Sequence, residues 1–334
     1  MLRLPDSRGE ISRALLDALG QDPHTIAGTD APMPSDPLSD DDLQLALYLC
    51  YELHYRGLPG VSDEWEWEPS LLALRRQLEA RFEAGLLDTL GVPAGSVAAQ
   101  EMDVALREVE AADEAPSLSR HLERDGTTAE MLEFVVHRSA YQLKEADPHS
   151  WALPRLTGAP KAAMVEIQAD EYGGGDVDRM HAVLFAKAME GLGLDPRYGV
   201  YLGRIPGVTL ATVNLMSLLG LHRRWRGALV GHLALFEMSS AVPNRRYGNA
   251  VRRLGWDDAA TTDFFDEHVT ADAVHESIAA VDLAGGLVRQ DPALAADVLW
   301  GARALVELEG RFARHLLEAW AAGRSSLLER LVSA

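Results

Sequence analysis

The sequence predicts an all-α protein. Three observations carry that reading. Stretches with apolar residues at helical spacing follow one another along the chain, capping or breaking residues bound them, and alternating strand-like runs flanked by hairpin turns are scarce. The chain opens differently. Residues 21–40, "QDPHTIAGTDAPMPSDPLSD", are rich in Pro, Asp, Ser and Gly and poor in large apolar groups, so residues 1–40 read as a flexible N-terminal arm. "SDDDLQLALYLCYELHYRG" then has Ser39 as a cap, an acidic first turn and Gly57 as a stop. "EPSLLALRRQLEARFEAGLLDTL" repeats the pattern with Pro69 near its start, giving an N-terminal helical region over 41–115. A polar break, "EVEAADEAPSLSRHLERDG", leads into a second, longer region over 120–330.

There, "TTAEMLEFVVHRSAYQLKEADP" places Leu132, Val135, Val136 and Leu143 on a helical period and stops before Pro148. "APKAAMVEIQADEYGGGDVDRMHAVLFAKAMEGLG" is long and interrupted by three glycines. "ATVNLMSLLGLHRRWRGALVGHLALFEMSSAVP" is strongly apolar. "DAATTDFFDEHVTADAVHESIAAVDLAGGLVRQ" and "PALAADVLWGARALVELEGRFARHLLEAWAAG" complete the set, and no internal repeat of fixed period is present.

Bulk properties exclude several classes of function. The 334 residues are 47% hydrophobic, enough for a sizeable core. With 51 acidic against 31 basic residues the net charge is -20, which opposes nucleic-acid binding and adsorption to an anionic membrane. One cysteine, Cys50, forms no internal disulfide and no four-cysteine metal site. Long uncharged apolar runs and a signal-peptide pattern are both missing, so a cytoplasmic location is expected.

The chemistry concentrates in four places. In "FFDEHVTADAVHESIAAVDL", His268, Asp272 and His275 stand at spacings of four and three. At about 100° per residue, Asp272 lies roughly 40° to one side of His268 and His275 roughly 20° to the other. They share one narrow sector, read either as a solvated face or as three metal ligands. In "QADEYGGGDVDRMHAVLF", Glu171 and His181 are ten residues apart, about 80° apart on a continuous helix, with Asp178 between them. Glycines at 173–175 cost around 1 kcal/mol each in a helix interior. Such a cost calls for a reason: local unwinding, a close approach, or a ligand arm that moves. Glu145 sits at a helix C-terminal end, where a carboxylate is disfavoured. Glu237 is a lone acid in an apolar run. Each has a plainer reading, a solvated acid for Glu145, Glu171 and Asp178 and a buried structural acid for Glu237. Their joint occurrence on separate helices favours a carboxylate-rich metal centre built inside a bundle.

Other polar residues read as structural. Glu52 and His54, two apart, do not share a helix face. Glu133 and His137, i and i+4, read as a helix-surface pair with a metal pair as the alternative, and His149 reads as a loop residue. His232 and His315 read as packing or surface residues. Arg245, Arg246 and Tyr247 read as a surface salt-bridge cluster, with anion binding as the alternative.

The order Glu145, Glu171 and His181, then His268, Asp272 and His275 resembles the heme-oxygenase-like diiron oxidases. More narrowly, "VHRSAYQLKEADPHSWALPRL", "QADEYGGGDVDRMHAVLF" and "FFDEHVTADAVHESI" are similar to the group called iron-containing redox enzymes. The resemblance covers residues 120–320. It implies a heme-oxygenase-like helical bundle with two Fe(II) ions and no heme. Glu145, Glu171, His181, His268, Asp272 and His275 would be the ligands, with Asp178 and Glu237 as further carboxylates. The implied reaction is O2-dependent oxidation of a small organic molecule, amines and guanidines among them, with O2 as co-substrate. An electron donor or reductase is expected as a partner, and a homodimer is left open. The alternative is a metal-free heme-oxygenase-like helical binding or structural protein.

Overall fold

The computed structural model describes residues 4–331, apart from the side chains of 271–274. Among the described residues the chain is helical, with no strand. The N-terminal third runs α1 (Glu10–Leu19), α2 (Asp41–Glu52), α3 (Pro69–Leu90), α4 (Met102–Ala111) and α5 (Leu118–Arg124). Then follow α6 (Thr128–Gln142), a short α7 (Asp147–Ser150), α8 (Gly158–Glu171), α9 (His181–Gly191) and α10 (Gly207–Leu221). The chain finishes with α11 (Arg226–Arg253), α12 (Ala259–Ser277), α13 (Gly286–Gln290) and α14 (Ala295–Ala321). A π-helical stretch, Ile278–Gly285, joins α12 to α13.

Local signals fix several helix starts. Asp40, one residue beyond the expected cap, accepts a hydrogen bond from Leu43 N at α2, and Glu68 caps α3 ahead of Pro69. Thr127 and Glu130 form a reciprocal capping box on α6, and Asp258 caps α12. The α6 helix ends at Gln142, earlier than the Pro148 stop suggested, in a turn whose Ala146 adopts a left-handed φ of 72°.

Buried α11 packs against both α12 and α14. Its approach to α14 is set by two glycines: a Cβ on Gly231 would lie 1.8 Å from Val298 O, and one on Gly301 would lie 1.9 Å from Ala228 O. Only bare backbone fits there. The α2 helix packs on α10, and Leu43, Leu47 and Leu49 share one apolar core with Leu210, Leu215 and Leu305. Residues of 41–115 and of 120–330 therefore meet in a common interior. A buried ion pair ties them further, with Lys144 Nζ 2.8 Å from Glu52 Oε2.

Two expectations are corrected here. Of the stretch 1–40, the described residues 4–40 are not a loose arm. Ile11, Leu15 and Leu19, four residues apart, bury one face of α1 against α2, where Asp42 accepts from Ile11 N and Ser12 N. Further on, Trp65 Nε1 donates to Gln21 O and Arg81 Nη2 to Ala31 O. Glu133 and His137 are buried rather than on a helix surface, because the C-terminal turn folds over α6: Trp320, Ser325 and Ser326 donate to Glu133, and Ser326 also pairs with His137. No helix among the described residues is long and apolar enough to cross a membrane.

Candidate metal centre

Glu171 closes α8 and His181 opens α9. Between them the continuous helix read from the sequence is broken at Gly173, Gly174 and Gly175, all at positive φ. At Gly173, with φ 66°, a Cβ would lie 2.7 Å from backbone atoms of Arg179 and Met180. Unwinding and close approach are thus the reasons for the glycines. The turn swings His181 back onto Glu171, so that Nδ1 lies 3.0 Å from Glu171 Oε2. The same turn carries Asp178 outward, where its side chain is 77% exposed and pairs with Lys187. Asp178 is not part of the centre.

Glu145 enters from the turn after α6, buried, with Oε1 3.5 Å from His268 Nε2. His268 comes from α12. Its Nδ1–H donates to Phe264 O at 2.7 Å, which leaves Nε2 as the lone-pair nitrogen facing Glu145. The His181 and His268 rings lie 4.4 Å apart. Glu145, Glu171, His181 and His268 each offer one ligand atom, and these atoms all lie within 4.8 Å of one another.

Glu171, Glu237 and His275 make a second such group. Glu237, the lone acid of the apolar run, projects from α11, with Oε2 3.0 Å from His275 Nδ1. His275 Nε2 lies 3.0 Å from Asp170 Oδ2. Asp272 falls on α12 between the two histidines, and its side chain lies outside the described residues. The structure therefore brings together Glu145, Glu171, His181, His268 and His275, and adds Glu237 to them. Glu171 belongs to both groups.

The electrostatics are those of a carboxylate cluster holding cations. Burial pushes the Glu171 carboxyl up, yet His181, His268 and His275 together hold it below the ordinary glutamate value. Burial pushes His181 down, and Glu171 more than reverses that. Burial likewise opposes charging of His275, but Glu237 and Asp170 raise it to about 9. Imidazolium protons thus balance the acids in the ion-free fold, and a divalent ion would displace them. The fit to a metal is direct. Glu145 Oε2 is buried with no hydrogen-bond partner, and His181 Nδ1, although close to Glu171, makes no hydrogen bond to it. Both are buried polar atoms that a bound ion would satisfy. A mixed nitrogen and carboxylate set of this kind suits iron or manganese.

A cleft lined by Glu145, Glu171, Glu237 and His268 also touches Phe236 and Ser240. Those two residues in turn line a cavity of about 490 Å³ walled by Phe134, Phe185, Phe264 and Phe265. Arg246 lines this cavity, with Glu123 3.9 Å away, while Arg138 is held by Glu309. His149, on α7 rather than a loop, bonds to His232 across 3.1 Å beside the cleft. Burial keeps both rings neutral, with His232 lowered to about 3.

Residues 132–310, which include Glu145, Glu171, His181, Glu237, His268 and His275, match the family described as iron-containing redox enzyme. The chain is also 25% identical over 231 residues to the nitrosourea synthase of Streptomyces achromogenes subsp. streptozoticus. That similarity covers 67% of this chain and 49% of the other, so the chain spans about half the length of the curated relative it matches.

Proposed function

Because the chain belongs to the family of iron-containing redox enzymes, we propose that it is a non-heme diiron oxidase or oxygenase that oxidises a small, nitrogen-bearing organic substrate with O2. The observation that carries this is the double membership of Glu171, since a carboxylate common to two ligand groups is what bridging two ions requires. Glu145, His181 and His268 would hold one Fe(II), and Glu237 and His275 the other, with Asp272 as a further ligand of the centre. The ions, when bound, supply electrons to O2, which side chains alone do not.

The rest falls to the protein. The Phe264 carbonyl fixes the His268 tautomer. Gln142, at the end of α6, reaches to 3.5 Å from Glu145 Oε1 and limits its swing. The aromatic walls of the adjoining cavity keep bulk water from the reacting atoms and offer an apolar seat for the substrate. A nitrosourea carries oxidised nitrogen, so the relative's name supports oxidation at a substrate nitrogen. The same reading calls for an electron donor or reductase, a cytoplasmic setting and no nucleic-acid or membrane partner, in keeping with the net charge of -20. A homodimer remains part of it. The test is rapid mixing of the Fe(II)-loaded chain with O2. The expected result is a transient visible absorption band that His268→Ala removes. Bound iron with no band overturns O2 activation, and no bound iron leaves the metal-free helical protein in its place.

A further inference from the structure

Asp170 and Glu171 are neighbours in the last turn of α8, so their side chains leave the helix about 100° apart. Glu171 is buried in the centre, whereas the Asp170 side chain is 59% exposed. Asp170 nevertheless reaches inward to a residue with no exposure at all, His275, and Oδ2 lies 3.0 Å from Nε2. The opposite nitrogen, Nδ1, faces Glu237 Oε2 at 3.0 Å and looks toward the group that includes Glu171. A neutral imidazole has one N–H and one lone pair. If the N–H sits at Nε2 and points to Asp170, the lone pair is left at Nδ1, on the side where an ion would lie.

We propose that Asp170 is a positioning residue: it holds the His275 ring in its Nδ1-ligating form and so sets the affinity of the Glu171–Glu237–His275 position for its metal. The inference rests on the diiron reading above. Outer partners of this type orient the ring and raise its basicity as a ligand. Two features separate this from an ordinary surface ion pair. The histidine is wholly buried while its partner faces solvent, and both ring nitrogens are engaged, one by each of two helices other than its own. On the far side of Glu171, His268 has the matching device in the Phe264 carbonyl. Each position thus owns a histidine whose outer nitrogen is occupied.

The experiment is a Mn(II) titration, followed by calorimetry, of the full chain and of Asp170→Ala, Asp170→Asn and Asp170→Glu. In the wild type two ions bind. In Asp170→Ala, one of the two affinities falls roughly 10–100-fold and the other stays as it was. Asp170→Asn falls less, and Asp170→Glu recovers part of the loss. Asp170 also pairs with the His275 ring in the ion-free chain, so the metal-free melting temperature of Asp170→Ala falls somewhat. Comparing the two affinities within one folded variant separates the site-specific loss from that effect. Unchanged affinities in Asp170→Ala, or equal loss at both positions, overturn the proposal. Fewer than two ions on the wild type overturns the diiron reading instead. His181→Ala, which strikes the opposite position, identifies which affinity belongs to which group.

Discussion

Glu171→Ala is expected to abolish binding at both metal positions in one step. Among the described residues every other member of the two groups serves a single group, whereas Glu171 serves the pair. Loss of an outer-shell partner alone costs roughly 10–100-fold in metal affinity, so loss of a ligand common to both ions costs more, twice over. Elemental analysis after anaerobic loading should give near-zero iron for this variant. His181→Ala and Glu237→Gln should each lower the count by one at most. The effect extends to the metal-free chain. His181 owes its raised pKa to Glu171, so the stability from that pairing is fully present below the ordinary imidazole value and fades as pH rises through the raised one. Glu171→Ala removes that share, and the urea midpoint should fall more in mildly acidic than in alkaline buffer. An unchanged iron content would mean that Glu171 is a structural acid only.

Lys144→Met is expected to produce the largest loss of stability, about 3–5 kcal/mol. Lys144 and Glu52 are both almost fully buried, and the ammonium also lies over the rings of Tyr48 and Tyr55 at 4.8 Å and 4.4 Å. Tyr198 OH donates to the same Glu52 oxygen at 2.7 Å. Removing the lysine leaves a carboxylate in the interior with a phenol as its remaining partner, and Glu52 Oε1 already has none. Replacing both partners should recover much of the loss, because Glu52→Leu with Lys144→Met leaves no orphaned charge. Urea unfolding of the two single variants and the double variant measures this. Lys144 directly precedes Glu145, and the pair joins α2 to the turn that presents this ligand. Iron affinity should therefore fall in Lys144→Met as well. Additive single losses, with no recovery in the double variant, would show that the two charges do not depend on each other.

Much of the fold was legible because helical periods and caps are local. Thr127 with Glu130 and Glu68 with Pro69 mark their helices without tertiary help. The stretch 1–40 was read as an arm because residues 21–40 are rich in Pro, Asp and Ser, while the i, i+4 triplet of Ile11, Leu15 and Leu19 is short. Five of the acids and histidines that the structure gathers, Glu145, Glu171, His181, His268 and His275, were legible by type and by order along the chain. Their geometry was not. The path from Glu171 to His181 depends on three positive-φ glycines, and a helical projection assumes they follow the helix. That assumption kept Asp178 on the ligand face, whereas the turn sends it into solvent. Glu237 announced itself as an acid among apolar residues, but its partner lies on another helix, 38 residues on. Asp170 carried no signal at all. An exposed acid beside a buried one gains meaning only when a histidine 105 residues away turns toward it.

Mössbauer spectroscopy of the iron-loaded chain tests the shared-carboxylate centre most directly. Two iron atoms per chain, magnetically coupled to each other after exposure to O2, is the predicted result. One isolated iron, or none, would contradict it and leave the cluster of acids and histidines as a buried ion-pair network.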